Sequence, residues 1–245
     1  MTLVFVDVDG TLIAPPGSEP AFILHLFRSG TLRARQLLAV GAFMGRYSRQ
    51  FGAQTFKKNK AYLAGLKVGA VAALAAEFVV RTIRPRLRHW MLDRLAEHRC
   101  RGDRLILLTG TPDFIAAAIG RLVGADRIYA SRCAETGGRF VAAPPLQHPF
   151  GPEKVAAAAS ICRQLGVPLH RCVAYADAVD DVPLLTRVGH PVAVCPAPGL
   201  RRVAMACNWE ILEDPVTARV AALDACGLLP TQRRRSHGGR RFGAD

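Results

Sequence analysis

Two aspartates stand one residue apart in VFVDVDGTLI (residues 4–13), directly after an apolar run, and Gly10 turns the chain just beyond them. Successive side chains of an extended chain alternate faces, so Asp7 and Asp9 share a side if the chain stays extended. Two carboxylates so placed repel each other unless a cation sits between them. Further along stand Thr109-Gly110-Thr111, then Lys154 at the start of a helical stretch, then Asp177, Asp180 and Asp181. Together these make an acid-rich site with a hydroxyl and an ammonium as countercharge donors. Asp7, Asp9, Asp177 and Asp181 form an oxygen-rich set suited to Mg²⁺, which keeps several waters and is often completed by a substrate phosphate. Such a cation offsets repulsion between an anionic nucleophile and a phosphoester. One carboxylate can then attack phosphorus while the other moves a proton.

Residues this far apart in sequence need strand ends to bring them together. LVFV (3–6) is a continuous apolar run rich in β-branched residues, as a strand covered on both faces requires. Similar runs recur at 104–108, 127–130, 172–176 and 191–195, and helical stretches at 113–124, 153–166 and 183–189 lie between them. Strand alternating with helix predicts an α/β fold with a doubly wound, Rossmann-like parallel sheet. Ligands of such sheets bind in the crevice at the carboxyl ends of the strands, where every residue named above falls.

The first interval breaks the rhythm. About ninety residues separate the first two strands, far more than a crossover needs. Phe22, Ile23, Leu26 and Phe27 share a face at helical spacing, 32–51 and 55–67 continue the helical pattern, and 70–83 follows. The expected organisation is a catalytic core of residues 1–14 and 85–229, an all-helical cap of residues 15–84, and a disordered basic tail of residues 230–245. Thr136-Gly137-Gly138 supplies the turn of a hairpin within 132–145.

DVDGT (7–11), LLTGT (107–111), Lys154 in GPEK and YADAVDD (175–181) resemble, in order and spacing, the four motifs of the haloacid dehalogenase superfamily of phosphohydrolases. The resemblance covers about residues 3–212 and points to the phosphoserine phosphatase-like branch, whose helical cap follows the first motif. It implies that Asp7 is the nucleophile and forms an aspartyl-phosphate, and that Asp9 is the general acid and then the base. It also implies that Thr109 and Lys154 hold the phosphoryl oxygens, that Gly110 and Thr11 join them in binding substrate, Thr11 also fixing the Gly10 loop, and that Asp7, the Asp9 carbonyl, Asp177 and Asp181 bind Mg²⁺. Asp180 replaces the usual amide of the fourth motif, where helix capping or outer-shell support is favoured over direct ligation. Thr109-Gly110-Thr111 replaces Ser-Gly-Gly in the second.

The resulting expectation is a Mg²⁺-dependent phosphatase of a small phosphorylated metabolite, with phosphoserine or a related amino-acid or polyol phosphate as substrate. Its rivals are a phosphatase of lipid head groups and a binding protein without turnover. The net charge of +14 raises nucleic acid or an anionic membrane as a partner. Five arginines of that excess fall in TQRRRSHGGRRFGAD (231–245), and the rest lack the aromatic interleaving of a single-strand-binding surface. No specific nucleic acid is therefore expected, and the tail reads as solvated and without a partner ahead of a contact with RNA or an anionic membrane. The seven cysteines are odd in number and include no C-x-x-C pair, and no apolar stretch is long enough to span a bilayer. With no secretory signal before Asp7, a cytoplasmic location is expected, and the oligomeric state stays open. Lys57, Lys58 and Lys60 read as a solvated helix face, Glu19, His25, Arg28 and Arg46 as lesser cap candidates, and His148 and His170 as lacking metal-ligand partners at useful spacing.

Overall fold

Val4 and Val6 point to one face of the first strand, β1 (Leu3–Val6), while Leu3 and Phe5 point to the other, and all four are buried. A strand covered on both sides needs helices above and below, which the rest of the chain supplies. The computed structural model describes residues 1–215. Helices α1 (Ser18–Arg28), α2 (Ala34–Phe51), α3 (Thr55–Lys58), α4 (Val68–Phe78) and α5 (His89–Cys100) precede β2 (Arg104–Pro112). Then come α6 (Asp113–Val123), β3 (Arg127–Ser131) and the short hairpin β4 (Glu135–Thr136) and β5 (Arg139–Phe140). The chain continues with α7 (Pro152–Leu165), β6 (Val173–Ala176), α8 (Val182–Leu185), β7 (His190–Val194), α9 (Pro198–Ala206) and β8 (Glu210–Leu212).

Six strands pair in the order β3-β2-β1-β6-β7-β8, all parallel. The α/β fold with its doubly wound sheet is thus the one expected. The chain winds outward from β1 to β3 and returns to β6 on the other side of β1, so the winding reverses between β1 and β6. That reversal opens a crevice at their carboxyl ends. On one face of the sheet Val4, Val6, Leu105, Leu107, Val173 and Val192 pack with Phe22, Phe78, Met91 and Ile119. On the other, Leu3, Phe5, Ile106, Leu108 and Ala174 pack with Ala158, Ile161 and Leu200. Each fully buried large side chain contributes about 1.5–3 kcal/mol.

Two irregularities shape the site. Opposite β3, the register jumps from Leu108↔Tyr129 to Pro112↔Ser131. Three residues of β2, Thr109 to Thr111, thereby oppose a single residue of β3 and bulge from the ladder. The second irregularity corrects an expectation: 55–67 is not one helix. It ends at Lys58, because Asn59 turns extended, accepting from the Ala61 amide (3.1 Å) and donating to the Val40 carbonyl (3.2 Å). Likewise only Val182–Leu185 is helical within 183–189, and β8 adds an edge strand too short to show periodicity in sequence.

Met1–Leu212 forms one compact unit. The helical insertion between β1 and β2 is tied to the core hairpin by three backbone hydrogen bonds, Gly65 to Phe140 (2.8 Å), Phe140 to Leu66 (3.0 Å) and Val68 to Gly138 (3.0 Å). The Arg86 guanidinium donates to the carbonyls of Ala14 and Pro16, stapling the insertion's exit to its entry. Among the described residues no helix is long and apolar enough to cross a membrane. The basic tail of 230–245 and Cys226 lie outside the described residues. Phe5 fills the centre of β1 at 1% exposure. Phe5→Ala should therefore lower unfolding free energy by about 3–5 kcal/mol, read by denaturant titration.

Candidate active site

Asp7 follows the last residue of β1 and Asp177 the last residue of β6, neighbouring strands at the reversal of the sheet. Asp181 closes the single helical turn beyond β6. One carboxylate oxygen of each lies within 4.8 Å of the other two. Lys154, in the first turn of α7 and 3% exposed, places its ammonium 2.7 Å from Asp181 and 2.9 Å from Asp7. Burial works against that charge, but Asp181 and Asp7 outweigh it and hold the lysine above its usual range. Burial, then the charges of Asp7 and Asp181, push Asp177 up to about 7. Burial also lifts Asp181 to about 6, against the opposing pull of Lys154.

Three carboxylates against one ammonium leave two negative charges when all are ionised, matching a divalent cation. An all-oxygen donor set suits Mg²⁺. Two further contacts shape the cradle. Thr11 donates to Asp177 Oδ1 at 3.3 Å. Gly10 adopts φ +86°, and a β-carbon there would stand 2.0 Å from Asp177 Oδ2, so only glycine fits both the turn and the carboxylate.

Asp9 leaves this cluster. The chain does not stay extended beyond Val6, and the Asp9 carboxylate turns toward the insertion and the β2 bulge. Oδ1 accepts from the Ser18 amide at 2.6 Å, while Oδ2 accepts from the Ser18 and Thr111 hydroxyls at 3.0 Å each. The shared side expected for Asp7 and Asp9 is corrected accordingly, and the Asp9 side chain is no part of the acid cluster. Burial raises its proton affinity, partly countered by the Ser18 bonds. Thr109 is buried, and its hydroxyl donates to Thr111 Oγ1 at 3.0 Å and accepts from the Thr111 amide at 3.2 Å. The helix after it is capped at Pro112, so Thr109 does not serve as an N-cap.

A carboxylate at a strand end, a second carboxylate held apart from it and a buried lysine form one constellation, and residues 4–186 match the model of the haloacid dehalogenase-like hydrolases. The chain belongs to that family. This hydrolase is 30% identical over 218 residues to the inhibition of morphological differentiation protein of Streptomyces azureus, covering 86% of this chain and 78% of that one. It is 28% identical over 237 residues to a phosphoserine phosphatase of Mycobacterium tuberculosis, covering 92% and 75%. Its fold is similar to that of a phosphoserine phosphatase solved as a phospho-aspartyl intermediate analogue, with TM-score 0.59 at 18% identity over 87% of this chain and 93% of that one. Within the family this hydrolase is a phosphoric monoester hydrolase of the phosphoserine phosphatase-like branch.

The structure corrects two further readings of this hydrolase. Lys57, Lys58 and Lys60 do not make one solvated face: Lys57 is exposed, Lys58 partly buried and Lys60 buried. Lys57 pairs with Asp180 in the helical turn after β6 at 3.0 Å and Lys58 with Glu153 in the first turn of α7 at 3.5 Å, while Lys60 is buried against Glu19 at 2.5 Å. Asp180 thus serves Lys57, joining neither the acid cluster nor a helix cap. Of the lesser candidates, Glu19 also accepts from the Tyr62 hydroxyl at 2.8 Å, His25 packs against Phe22 and Phe78, and Arg28 and Arg46 are exposed. Ser18, Ser131 and His148 were not legible as site residues. Ser18 had one local signal, its place at a helix start after a Pro-Pro-Gly break.

Asp177 and Asp181 bind protons more tightly in the fold than in an unfolded chain, so folded protein free of metal binds more protons between about pH 4 and 7. Stability conferred by that site is full below about pH 4 and falls as pH rises through about 6 to 7, by up to about 1.4 kcal/mol per pH unit for each group. The rise in unfolding temperature on adding Mg²⁺ should accordingly grow between about pH 5 and 8, and Asp177→Asn should flatten that growth.

Proposed function

We propose that this hydrolase cleaves a small phosphomonoester by in-line attack of the Asp7 carboxylate on phosphorus, with Asp9 protonating the leaving alkoxide. The observation that carries this reading is the division of the two aspartates: Asp7 lies against Lys154, whereas Asp9 is held apart by Ser18 and Thr111 with its proton affinity raised. A carboxylate that opens onto the site beside an ammonium can act as nucleophile, and one burdened by burial can carry a proton. Attack forms the Asp7–phosphorus bond and breaks the ester bond. The Asp9 proton goes to the departing oxygen, and Asp9, now ionised, takes a proton from the water that hydrolyses the aspartyl-phosphate.

Lys154 neutralises charge on the phosphoryl oxygens as it develops, and the bulge that carries Thr109 borders their cradle. Asp7, Asp177, Asp181 and the Asp9 carbonyl would hold Mg²⁺, which would supply charge neutralisation at the phosphoryl group. Thr11 and Gly10 support that set from behind, so Thr11 acts through Asp177.

The helices between β1 and β2 form a cap over the site, spanning residues 15–84, on a core of residues 1–14 and 85–212, while residues 216–229 of the expected core lie outside the described residues. The substrate is a small phosphorylated metabolite, and the name of the Mycobacterium tuberculosis relative favours phosphoserine or another amino-acid phosphate. Cys100, Cys133, Cys162, Cys172 and Cys207 are free thiols, which fits a reducing, cytoplasmic setting.

Phosphate release from an aryl phosphate and a panel of metabolite phosphates tests the reading. Wild type with Mg²⁺ should turn over and EDTA should stop it. Asp7→Asn should fall to background, and Asp9→Asn should lose about 10²–10⁴-fold in kcat. Folded wild type that releases no phosphate from any compound, or Asp7→Asn that stays active, would sink it.

A further inference from the structure

His148 lies outside every role assigned above, yet it is buried at 5% exposure beside the phosphoryl-binding bulge. Its ring packs over Gly110, with Cε1 3.5 Å from where a β-carbon would stand, and stacks on Phe150 at 5.9 Å between centroids. Nδ1 lies 2.6 Å from Ser131 Oγ, and Ser131 Oγ lies 2.6 Å from the Gly110 carbonyl. A carbonyl only accepts, so the single serine proton must go to Gly110 and Nδ1 must donate to Ser131. That fixes the Nδ1–H tautomer and leaves Nε2 as a buried lone pair without a partner. Burial and the ammonium groups of Lys60, Lys58, Lys57 and Lys154 keep the ring neutral, down at about 3.

From Gly110 the same directionality continues. The peptide that carries the Gly110 carbonyl carries the Thr111 amide, which donates to Thr109 Oγ1. Thr109 Oγ1 donates to Thr111 Oγ1, and Thr111 Oγ1 donates to Asp9 Oδ2. Every donor in this chain points from His148 toward Asp9, so each bond polarises the next. We propose that His148 is a positioning residue of the reaction: its Nδ1–H, through Ser131, locks the Gly110 carbonyl and with it the bulge that steadies the Asp9 carboxylate. The inference rests on the phosphatase reading given above for Asp9 and the bulge.

Asparagine places an amide N–H close to where Nδ1 sits, and glutamine places one near Nε2, so the two variants separate the ring's two edges. With an aryl phosphate and Mg²⁺, His148→Asn should keep kcat within about threefold of wild type. His148→Gln and His148→Ala should lose about ten- to a hundredfold in kcat, with KM changed by less than about threefold. Ser131→Ala, which removes one oxygen from the middle of the relay, should show the same kcat loss, with unfolding temperatures confirming folded variants. ¹⁵N spectra of the imidazole should show the Nδ1–H tautomer. An Nε2–H tautomer, or His148→Gln more active than His148→Asn, overturns the proposal, the latter placing the function at Nε2. Wild type that hydrolyses no phosphate ester overturns the phosphatase reading and the positioning role of His148 with it, while the tautomer still reads whether the relay exists.

Discussion

An ammonium clasped between two buried carboxylates is the contact on which the rest of the site depends. Lys154 meets Asp181 at 2.7 Å and Asp7 at 2.9 Å where almost no water reaches. Charges in such a place persist only when paired, and losing one partner typically costs about 3–5 kcal/mol because the other is left stranded. The contact joins the end of β1, the start of α7 and the turn after β6, so three crossovers must all be in register before it can form. It also leaves the acid cluster short of positive charge, so the cluster is not a finished ion pair and suits a cation.

The two aspartates of the opening motif differ through backbone geometry. Asp7 still stands at the strand end and joins the cluster. Asp9, two residues on, lies past the point where the chain bends, and Gly10 at φ +86° completes the bend. Its carboxylate then meets the first residue of α1, where amide and hydroxyl of Ser18 both donate and the helix dipole favours negative charge. Those donors and burial pull its proton affinity in opposite directions, and burial prevails.

How far the site was legible in the sequence follows from how each residue reaches it. Asp7, Asp177 and the Thr109–Thr111 turn come directly off apolar runs, and a parallel sheet delivers all strand ends to one rim, so locating the runs located the residues. Lys154 was legible through its place at a helix start. The parity argument for Asp9 failed because alternation holds only while the strand lasts. Lys57, Lys58 and Lys60 misled because a cluster of lysines looks alike whether it faces water or a neighbouring acid, and their partners lie 123, 95 and 41 residues away. Ser131 and His148 are 17 residues apart with a hairpin between them, and only the bulge in β2 brings Gly110 to both. Helix 55–67 misled for a local reason, since the Asn59 side chain offers the backbone an alternative to the next helical turn.

The insertion's two attachments to the core differ in kind. On one side, backbone hydrogen bonds join Gly65, Leu66 and Val68 to the β4–β5 hairpin. On the other, the short α3 reaches Asp180 and Glu153 through lysine ion pairs, several of whose side chains are solvent-accessible. Exposed ion pairs are worth about 0–1 kcal/mol each and weaken with salt, whereas the strand-like bonds form a ladder that yields only as a whole. Any opening of the insertion is therefore lopsided: the hairpin side acts as the hinge and the lysine side as the mouth.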